Sequence, residues 1–168
     1  DLVPTDKKFL NPDTVDNCYV WSKSLSKMRN EMIRDCDARI CAGGKKTKYK
    51  GKMPGVLEEI LIALELGCPL YLLGGFGGIV HDVCEVLQGN KCPDSLTEQW
   101  QDKNNEGYRE LLRKYEERGE KVDYQEIQKK LKSFKLNNGL SEEENKILFN
   151  TVFVDEAVQL ILKGLQSI

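Results

Sequence analysis

The sequence predicts an α/β protein with a Rossmann-like parallel sheet, flanking helices and a helical C-terminal half. Two glycine-rich turns support this prediction, because each follows a short apolar run and precedes a helical pattern. They are Gly43-Gly44 and, about thirty residues later, Gly74 to Gly78. This spacing fits one β-α-β unit, whose two strands are parallel. The third observation is that the chain from Ser95 onward is rich in charge at helical spacing.

The elements of the first half follow from apolar spacing and turn residues. Residues 1–17 are polar and contain Pro4 and Pro12, so we expect a loop or linker there. Pro54 suits the first position of a helix, and Gly67 suits the position just past its end. The predicted order is helix 22–36, strand 38–42, helix 54–67, strand 69–73 and helix 79–87.

The second half reads as a series of helices. The Ser141 and Glu144 pair is typical of a capping box at a helix start. Asp155 is the expected cap of the last helix. The predicted elements are helices 95–118 and 124–136, a short helix from 141, a brief strand 151–154 and a last helix that partly buries Val158, Leu160, Ile161, Leu162 and Leu165.

The number of predicted strands bears on the completeness of the domain. Two strands and a brief third are predicted, whereas a doubly wound sheet has about four or more. We therefore expect that residues 1–168 are a single nucleotide-binding domain of a longer protein and that N-terminal strands of this domain are missing.

Composition excludes several classes of function. The formal net charge is -2, so no global basic field favours nucleic acid as a partner. No apolar run is long enough to span a bilayer, and the N-terminal residues contain no apolar segment of the kind found in signal peptides. The cysteines form no C-x-x-C pair and no metal-ligand cluster, which indicates reduced thiols in a cytoplasmic protein. They are Cys18, Cys36, Cys41, Cys68, Cys84 and Cys92.

The first glycine turn is a candidate phosphate site. Backbone N–H groups at Gly43-Gly44 and at the helix start near Gly55 favour an anion. Between them lies an insert, 45–52, with five lysines, of which Lys45 and Lys52 are predicted ligand contacts. The alternative is that the glycines only turn the chain and that the lysines are solvated.

Three charged residues beside this turn are further candidates. Glu58 and Glu59 complement the helix dipole, or one of them accepts hydrogen bonds from ribose hydroxyls. Adjacent helical residues diverge by about 100°, so one of the two faces the ligand, and we favour Glu59 while Glu58 stays open. Arg29, on the preceding helix, either reaches the crevice with its planar fork or lies exposed.

The second glycine turn is predicted to form the other wall of the crevice, through Gly74, Gly75, Gly77 and Gly78. Phe76 sits among them, and it stacks on a base, covers the pocket or packs into the core. His81 follows as the only histidine. A general base is conceivable there, but a lone histidine without a partner is more often structural.

Taken together, these segments resemble the SLOG superfamily, which joins the LOG cytokinin-activating enzymes to the DprA/Smf proteins. The likeness covers roughly residues 22–165 and is nearest to SLOG domains fused to TIR or sirtuin effectors in bacterial antiphage systems. It rests on Met28-Arg29-Asn30-Glu31-Met32, Ala38-Arg39-Ile40-Cys41-Ala42-Gly43-Gly44, Met53-Pro54-Gly55-Val56-Leu57-Glu58-Glu59, Tyr71-Leu72-Leu73-Gly74-Gly75-Phe76-Gly77-Gly78 and the tail Asn138-Gly139-Leu140-Ser141-Glu142-Glu143-Glu144-Asn145.

The resemblance implies a Rossmann-like fold and a nucleotide-related ligand. LOG enzymes carry a contiguous P-G-G-x-G-T-x-x-E motif. Gly43-Gly44 matches its first glycine pair, Gly55 its later glycine and Glu58-Glu59 its acidic end, but the lysine-rich insert splits the motif. Ala42 replaces the proline and Val56 the threonine. These departures favour ligand binding over hydrolysis.

Two functions follow as expectations from this resemblance. The first is a cytoplasmic, non-catalytic sensor of a cyclic ADP-ribose-like, NAD-related messenger that regulates a fused effector, forms a homo-oligomer and needs no cofactor or metal. The alternative is a LOG-like phosphoribohydrolase that cleaves the N-glycosidic bond of a nucleoside monophosphate. In that case Glu59 or Glu58 stabilises the developing charge and Arg29 binds the phosphate.

Overall fold

A computed structural model describes residues 10–168. It is a mixed α/β structure, and within these residues it contains eight α-helices and two β-strands. Short 3-10 turns cover Gly74–Phe76 and Asp94–Leu96. The elements are α1 Val15–Arg34, β1 Arg39–Ala42, α2 Gly55–Leu66, β2 Leu70–Leu73, α3 Gly78–Leu87, α4 Glu98–Asn104, α5 Tyr108–Glu117, α6 Tyr124–Ser133, α7 Glu142–Asn150 and α8 Val154–Leu165.

The two strands form a small parallel sheet, as the sequence predicts. β1 pairs with β2 so that Arg39 lies opposite Leu70 and Ala42 opposite Leu73. The helix α2 connects the strands. Both strands therefore end at the same edge, where the two glycine turns begin. The confirmed fold class is mixed α/β with a parallel pair of strands.

Side chains of β2 alternate between two hydrophobic clusters. Leu70 and Leu72 belong to the main core, which also contains residues of α2, α3 and α6. Tyr71 faces a smaller cluster with Leu148 of α7 and Ile161 of α8. This alternation follows the two-residue period of a strand. Each fully buried leucine stabilises the fold by about 1.5–3 kcal/mol.

The start of α1 and the extent of α4 differ from the sequence prediction. α1 begins at Val15, inside the range expected to be a loop, because the Thr14 hydroxyl accepts a hydrogen bond from the Asn17 N–H at 3.2 Å. The prediction of one helix over 95–118 is wrong. Gly107 has a positive φ of 72° and separates α4 from α5.

The strand predicted over 151–154 is also wrong. The Thr151 N–H continues α7 through a 2.8 Å bond to the Ile147 carbonyl, and the Thr151 hydroxyl accepts from the Phe153 N–H at 3.1 Å. These bonds hold a tight connection, after which α8 begins. Asp155 is thus a first-turn residue of α8 rather than its cap. The helix exposes Val158, Leu162 and Leu165 and buries Ala157, Ile161 and Gly164.

No helix within residues 10–168 has both the length and the apolarity that are needed to cross a bilayer.

Candidate functional site

The two glycine turns lie directly against each other at the carboxyl ends of the strands. The Ile79 N–H donates to the Gly44 carbonyl at 3.1 Å, and the Val80 N–H donates to the Gly43 carbonyl at 3.0 Å. A Cβ on Gly78 would lie 2.3 Å from the Gly43 carbonyl carbon. This contact requires glycine at position 78, because any side chain would push the two turns apart.

This contact closes the N-terminus of α3. Two of its first-turn N–H groups are used by carbonyls of the first glycine turn. Gly74 and Gly75 of the second turn pack on the end of α7. A Cβ on Gly74 would lie 2.4 Å from the Phe149 carbonyl oxygen, and one on Gly75 would lie 2.0 Å from that of Thr151. Close packing therefore accounts for these two glycines.

The N-terminus of α2 is open instead. Its cap residue, Pro54, offers no side-chain acceptor. The N–H groups of Gly55, Val56 and Leu57 have no acceptor within residues 10–168. Unpaired N–H groups and the helix dipole together favour an anion at such an end.

Arg29 of α1 lies over this open end. A Cβ on Gly55 would lie 2.5 Å from Nη2 of Arg29, so only glycine lets the guanidinium come this close. Gly44 meets the same helix start, because a Cβ there would lie 2.9 Å from a methyl group of Val56. The structure thus brings Arg29, Gly44 and Gly55 together.

A buried cluster of charges surrounds Arg29. Its Nη1 donates to Oε2 of Glu58 at 2.7 Å, and Lys52 Nζ lies 3.4 Å from Oε1 of the same carboxylate. The Ser26 hydroxyl also donates to Oε1 of Glu58. Glu58 is only 3% exposed. Both of its oxygens are therefore engaged by protein groups.

Glu59 belongs to the same cluster. It forms an ion pair with Arg39, and its Oε1 lies 3.6 Å from Nε of Arg29. Burial lowers the pKa of Arg39, whereas its hydrogen bond with Glu59 and the charge of that carboxylate raise it, and the net shift is upward. Sequence reasoning favours Glu59 as the ligand-facing acid, while the structure shows both acids paired with arginines.

The cluster contains more positive than negative charge. Three cations, Arg29, Arg39 and Lys52, surround the two carboxylates. The buried Nε atoms of both arginines donate no hydrogen bond within residues 10–168. A buried donor without an acceptor is costly, so an additional anion would stabilise this cluster.

The lysine-rich insert is anchored to the protein. Tyr49 donates to the Gln101 side-chain carbonyl at 2.6 Å, and the Lys48 N–H donates to Oδ1 of Asn105 at 2.8 Å. The Tyr108 hydroxyl donates to the Lys52 carbonyl at 2.6 Å. Burial is the main cause of an upward shift in the pKa of Tyr49. The insert is thus held to the helical half of the chain.

The lysines of the insert fall into two groups, those in ion pairs and those that are exposed. Lys46 pairs with the buried Asp82 of α3 at 2.8 Å, and Lys52 pairs with Glu58. Lys45, Lys48 and Lys50 are exposed and form no ion pair within the described residues. The anchoring residues Gln101, Asn105 and Tyr108 were not predicted; the one signal in the sequence is an isolated aromatic residue, Tyr49, inside a charged loop.

Two other predicted positions lie at the surface. Phe76 is 43% exposed beside the second turn, and His81 is exposed on α3. Phe76 is therefore accessible to a ligand. In residues 10–168 no group of histidine, cysteine and acidic side chains is arranged to hold a metal ion. The chemistry that the site offers is anion binding by Arg29 and the N–H groups of α2.

All six cysteines are free thiols. Burial is the main cause that raises the pKa of Cys41 to about 11, and burial also raises that of Cys84. Both thiols are therefore neutral at physiological pH and unsuited to act as nucleophiles.

Comparison with known proteins identifies a family for this chain. No curated protein and no solved structure matches the chain. A protein-family model described as SLOG cluster2 matches residues 1–148, which is most of the sequence. With Arg29, the glycine turns and the acidic pair all inside the matched region, the chain belongs to the SLOG cluster2 family.

Proposed function

We propose that this chain is a sensor domain for a nucleotide-derived second messenger, of the cyclic ADP-ribose type, and that it binds a ligand phosphate at the N-terminus of α2. The observation that carries this proposal is the open helix end. Three unpaired N–H groups and the guanidinium of Arg29 meet there, beside a cluster with one excess positive charge. Family membership is consistent with a nucleotide-related ligand.

The burial and the hydrogen bonds of Glu58 favour a sensor over an enzyme. A group that stabilises charge or transfers a proton during cleavage must contact the substrate. Glu58 is buried, and both of its oxygens accept from Arg29, Ser26 or Lys52. The alternative, a LOG-like phosphoribohydrolase, is favoured by one observation, the 2.7 Å contact between the Arg29 and Glu58 side chains that match the family motif.

The proposal includes a partner surface on α8. Val154, Val158, Leu162 and Leu165 recur along one side of this helix and are 39–60% exposed. With the neighbouring Phe153, 70% exposed, they present on the order of 500 Å² of apolar surface, near the upper end of what a monomer leaves uncovered. We assign this stripe to a second copy of the chain, because this area approaches what each subunit of a standard interface buries.

In this proposal the domain works in the cytoplasm, in bacterial defence, and regulates a fused effector. The free thiols suit that compartment. Ligand binding would shift the packing between copies or against the effector. Only a difference in ligand affinity between the two arrangements can drive such a shift.

Titration calorimetry with cyclic ADP-ribose isomers, ADP-ribose and cyclic dinucleotides tests the sensor. We expect micromolar or tighter binding to one compound, and its loss in Gly55→Asp, which places a carboxylate against Arg29. The matched control is Gly67→Asp at the other end of α2, where a Cβ meets nothing within 4 Å. Its φ of 67° adds strain of about 1–2 kcal/mol, so circular dichroism first verifies that both variants are folded. The absence of binding by every compound in the panel, or equal ligand affinity of the two variants, contradicts the proposal.

Incubation with AMP and related monophosphates, followed by chromatography of the released base, tests the enzyme. The sensor proposal predicts no release above the uncatalysed rate. Release that disappears in Glu58→Gln or Glu59→Gln would establish the phosphoribohydrolase instead.

A further inference from the structure

A cavity of about 330 Å³ lies between the C-terminal end of α3, the segment 134–140 and α7. None of the glycine-turn residues and none of the Arg29 cluster lines it. Its volume lies within the range of small-molecule sites, which is about 300–1,000 Å³. The cavity is therefore a candidate site that is separate from the one described above.

The floor of this cavity is apolar. Leu87, Phe134 and Phe149 reach it from the main core, and Leu140 reaches it from the smaller cluster beneath α8. The cavity thus lies at the seam between the two hydrophobic clusters of the protein. Such a floor suits the apolar body of a ligand.

The rim of the cavity is positively charged. Lys132, Lys135 and Lys146 line it, and none of them forms an ion pair within residues 10–168. Among the described residues, Glu142 is the only acidic one in the lining, so the rim has two excess positive charges. Many other lysines of the chain are paired, as in Lys23 with Glu120.

Helix dipoles do not explain all three lysines. Lys132 lies in the last turn of α6, where a cation complements the dipole. Lys135 lies beyond the end of that helix, and Lys146 lies in the middle of α7. Their convergence on one apolar cavity points to an anionic ligand group.

We propose that this cavity binds an organic anion with an apolar body and a single carboxylate or sulfonate. At about 30 Å³ for each atom-sized group, the cavity volume corresponds to a ligand of about ten non-hydrogen atoms. The apolar body lies on Leu87, Phe134 and Phe149, and the anionic group lies among the three lysines. The inference is independent of the messenger site, because the two share no lining residue.

The experiment is an NMR titration of the full chain with sodium octanoate, and with octan-1-ol as the neutral probe of equal length. We expect saturable shifts at residues around the cavity with a Kd in the range of about 0.1–1 mM. Octan-1-ol should bind about tenfold more weakly, because it lacks the charge-assisted contacts.

Two variants locate the binding, and a third serves as their control. The triple variant Lys132→Gln, Lys135→Gln, Lys146→Gln should weaken octanoate binding by about tenfold. The matched triple Lys91→Gln, Lys103→Gln, Lys129→Gln changes three other exposed lysines that form no ion pair within residues 10–168, and it should leave octanoate binding unchanged. Ser133→Trp fills the mouth of the cavity from an exposed position and should abolish binding.

Three results would overturn the proposal. The first is a titration that does not saturate up to about 10 mM octanoate, ten times the weakest expected Kd. The second is equal affinity for octan-1-ol. The third is a set of shifts that maps to the apolar stripe of α8 instead of the cavity.

Discussion

The starts of α2 and α3 share a glycine at the first helical position but have different surroundings in the structure. α2 begins at Gly55 and α3 at Gly78, and neither has a side-chain cap. At α3 the N–H groups of Ile79 and Val80 donate to the first glycine turn. At α2 the N–H groups of Gly55, Val56 and Leu57 have no acceptor among the described residues. One helix start is closed by the chain itself, and the other is open.

The charged side chains around the two helix starts differ as well. At α3, Asp82 is balanced by Lys46 and accepts a hydrogen bond from the Ser95 hydroxyl. At α2, Arg29 stands over the positive end of the helix dipole, and its Nε donates no hydrogen bond within residues 10–168. Glu58 and Glu59 neutralise two of the three cations around it, so the remaining positive charge favours a further anion at this end. The unpaired N–H groups and the excess positive charge therefore favour the start of α2 over that of α3 as the proposed anion site.

The largest expected effect comes from opening the closed helix start. Gly78→Ala places a Cβ 2.4 Å from the Gly43 carbonyl oxygen, at a residue with a φ of 67°. We expect the free energy of unfolding to fall by about 4 kcal/mol, from backbone overpacking and left-handed strain together. Urea denaturation measures it.

The control for this change is Gly89→Ala. Gly89 has a φ of 81°, but a Cβ there meets nothing within 4 Å. It should cost only the conformational strain, about 1–2 kcal/mol. Equal losses in the two variants would mean that the contact between the turns contributes nothing to stability.

The next effect compares the two buried acids. Arg29→Leu leaves Glu58 buried with only Lys52 and Ser26 as partners, and we expect a loss of about 3 kcal/mol. Lys46→Leu removes a half-exposed cation from Asp82, and we expect about 1 kcal/mol. Thermal unfolding of both variants ranks them, and a larger loss for Lys46→Leu would reverse the ranking of the two helix starts.

Local signals explain what the sequence predicts well. Pro54 and Gly67 bracket α2, and the capping box at Ser141 and Glu144 opens α7 with both of its hydrogen bonds. These signals act within a few residues of the chain, so they are readable without the fold. The turns' common position follows from parallel pairing, because both turns follow the same ends of adjacent strands.

Contacts between distant residues explain what the sequence does not predict. The closure of α3 depends on carbonyls about 36 residues away, at Gly43 and Gly44. The burial of Glu58 depends on α1, which supplies Ser26 and Arg29. Helical spacing separates Glu58 from Glu59 by about 100° but does not say which direction faces protein. In the same way, the isolated Tyr49 suggests that the lysine-rich insert is anchored but does not identify Gln101 as its partner.

Inorganic phosphate should distinguish the two helix starts directly. In an NMR titration at constant ionic strength, we expect the amide signals of Gly55, Val56 and Leu57 to shift saturably, while those of Ile79 and Val80 stay in place. At ten times its Kd, phosphate should raise the free energy of unfolding by about 1.4 kcal/mol. Sodium chloride serves as the control. Shifts at α3 without shifts at α2 would contradict the comparison.

The smallest expected effect separates two adjacent lysines of the insert. Lys46 is paired with Asp82 at α3, so Lys46→Gln should lower the free energy of unfolding by about 0.5 kcal/mol and leave phosphate affinity unchanged. Lys45 is exposed next to Gly44 and forms no ion pair with the described part of the chain, so Lys45→Gln should leave stability unchanged and weaken phosphate binding by about twofold at low salt. That difference should vanish near 1 M salt, where the screening length is about 3 Å. If both variants behave alike, the insert does not divide its lysines between the two helix starts.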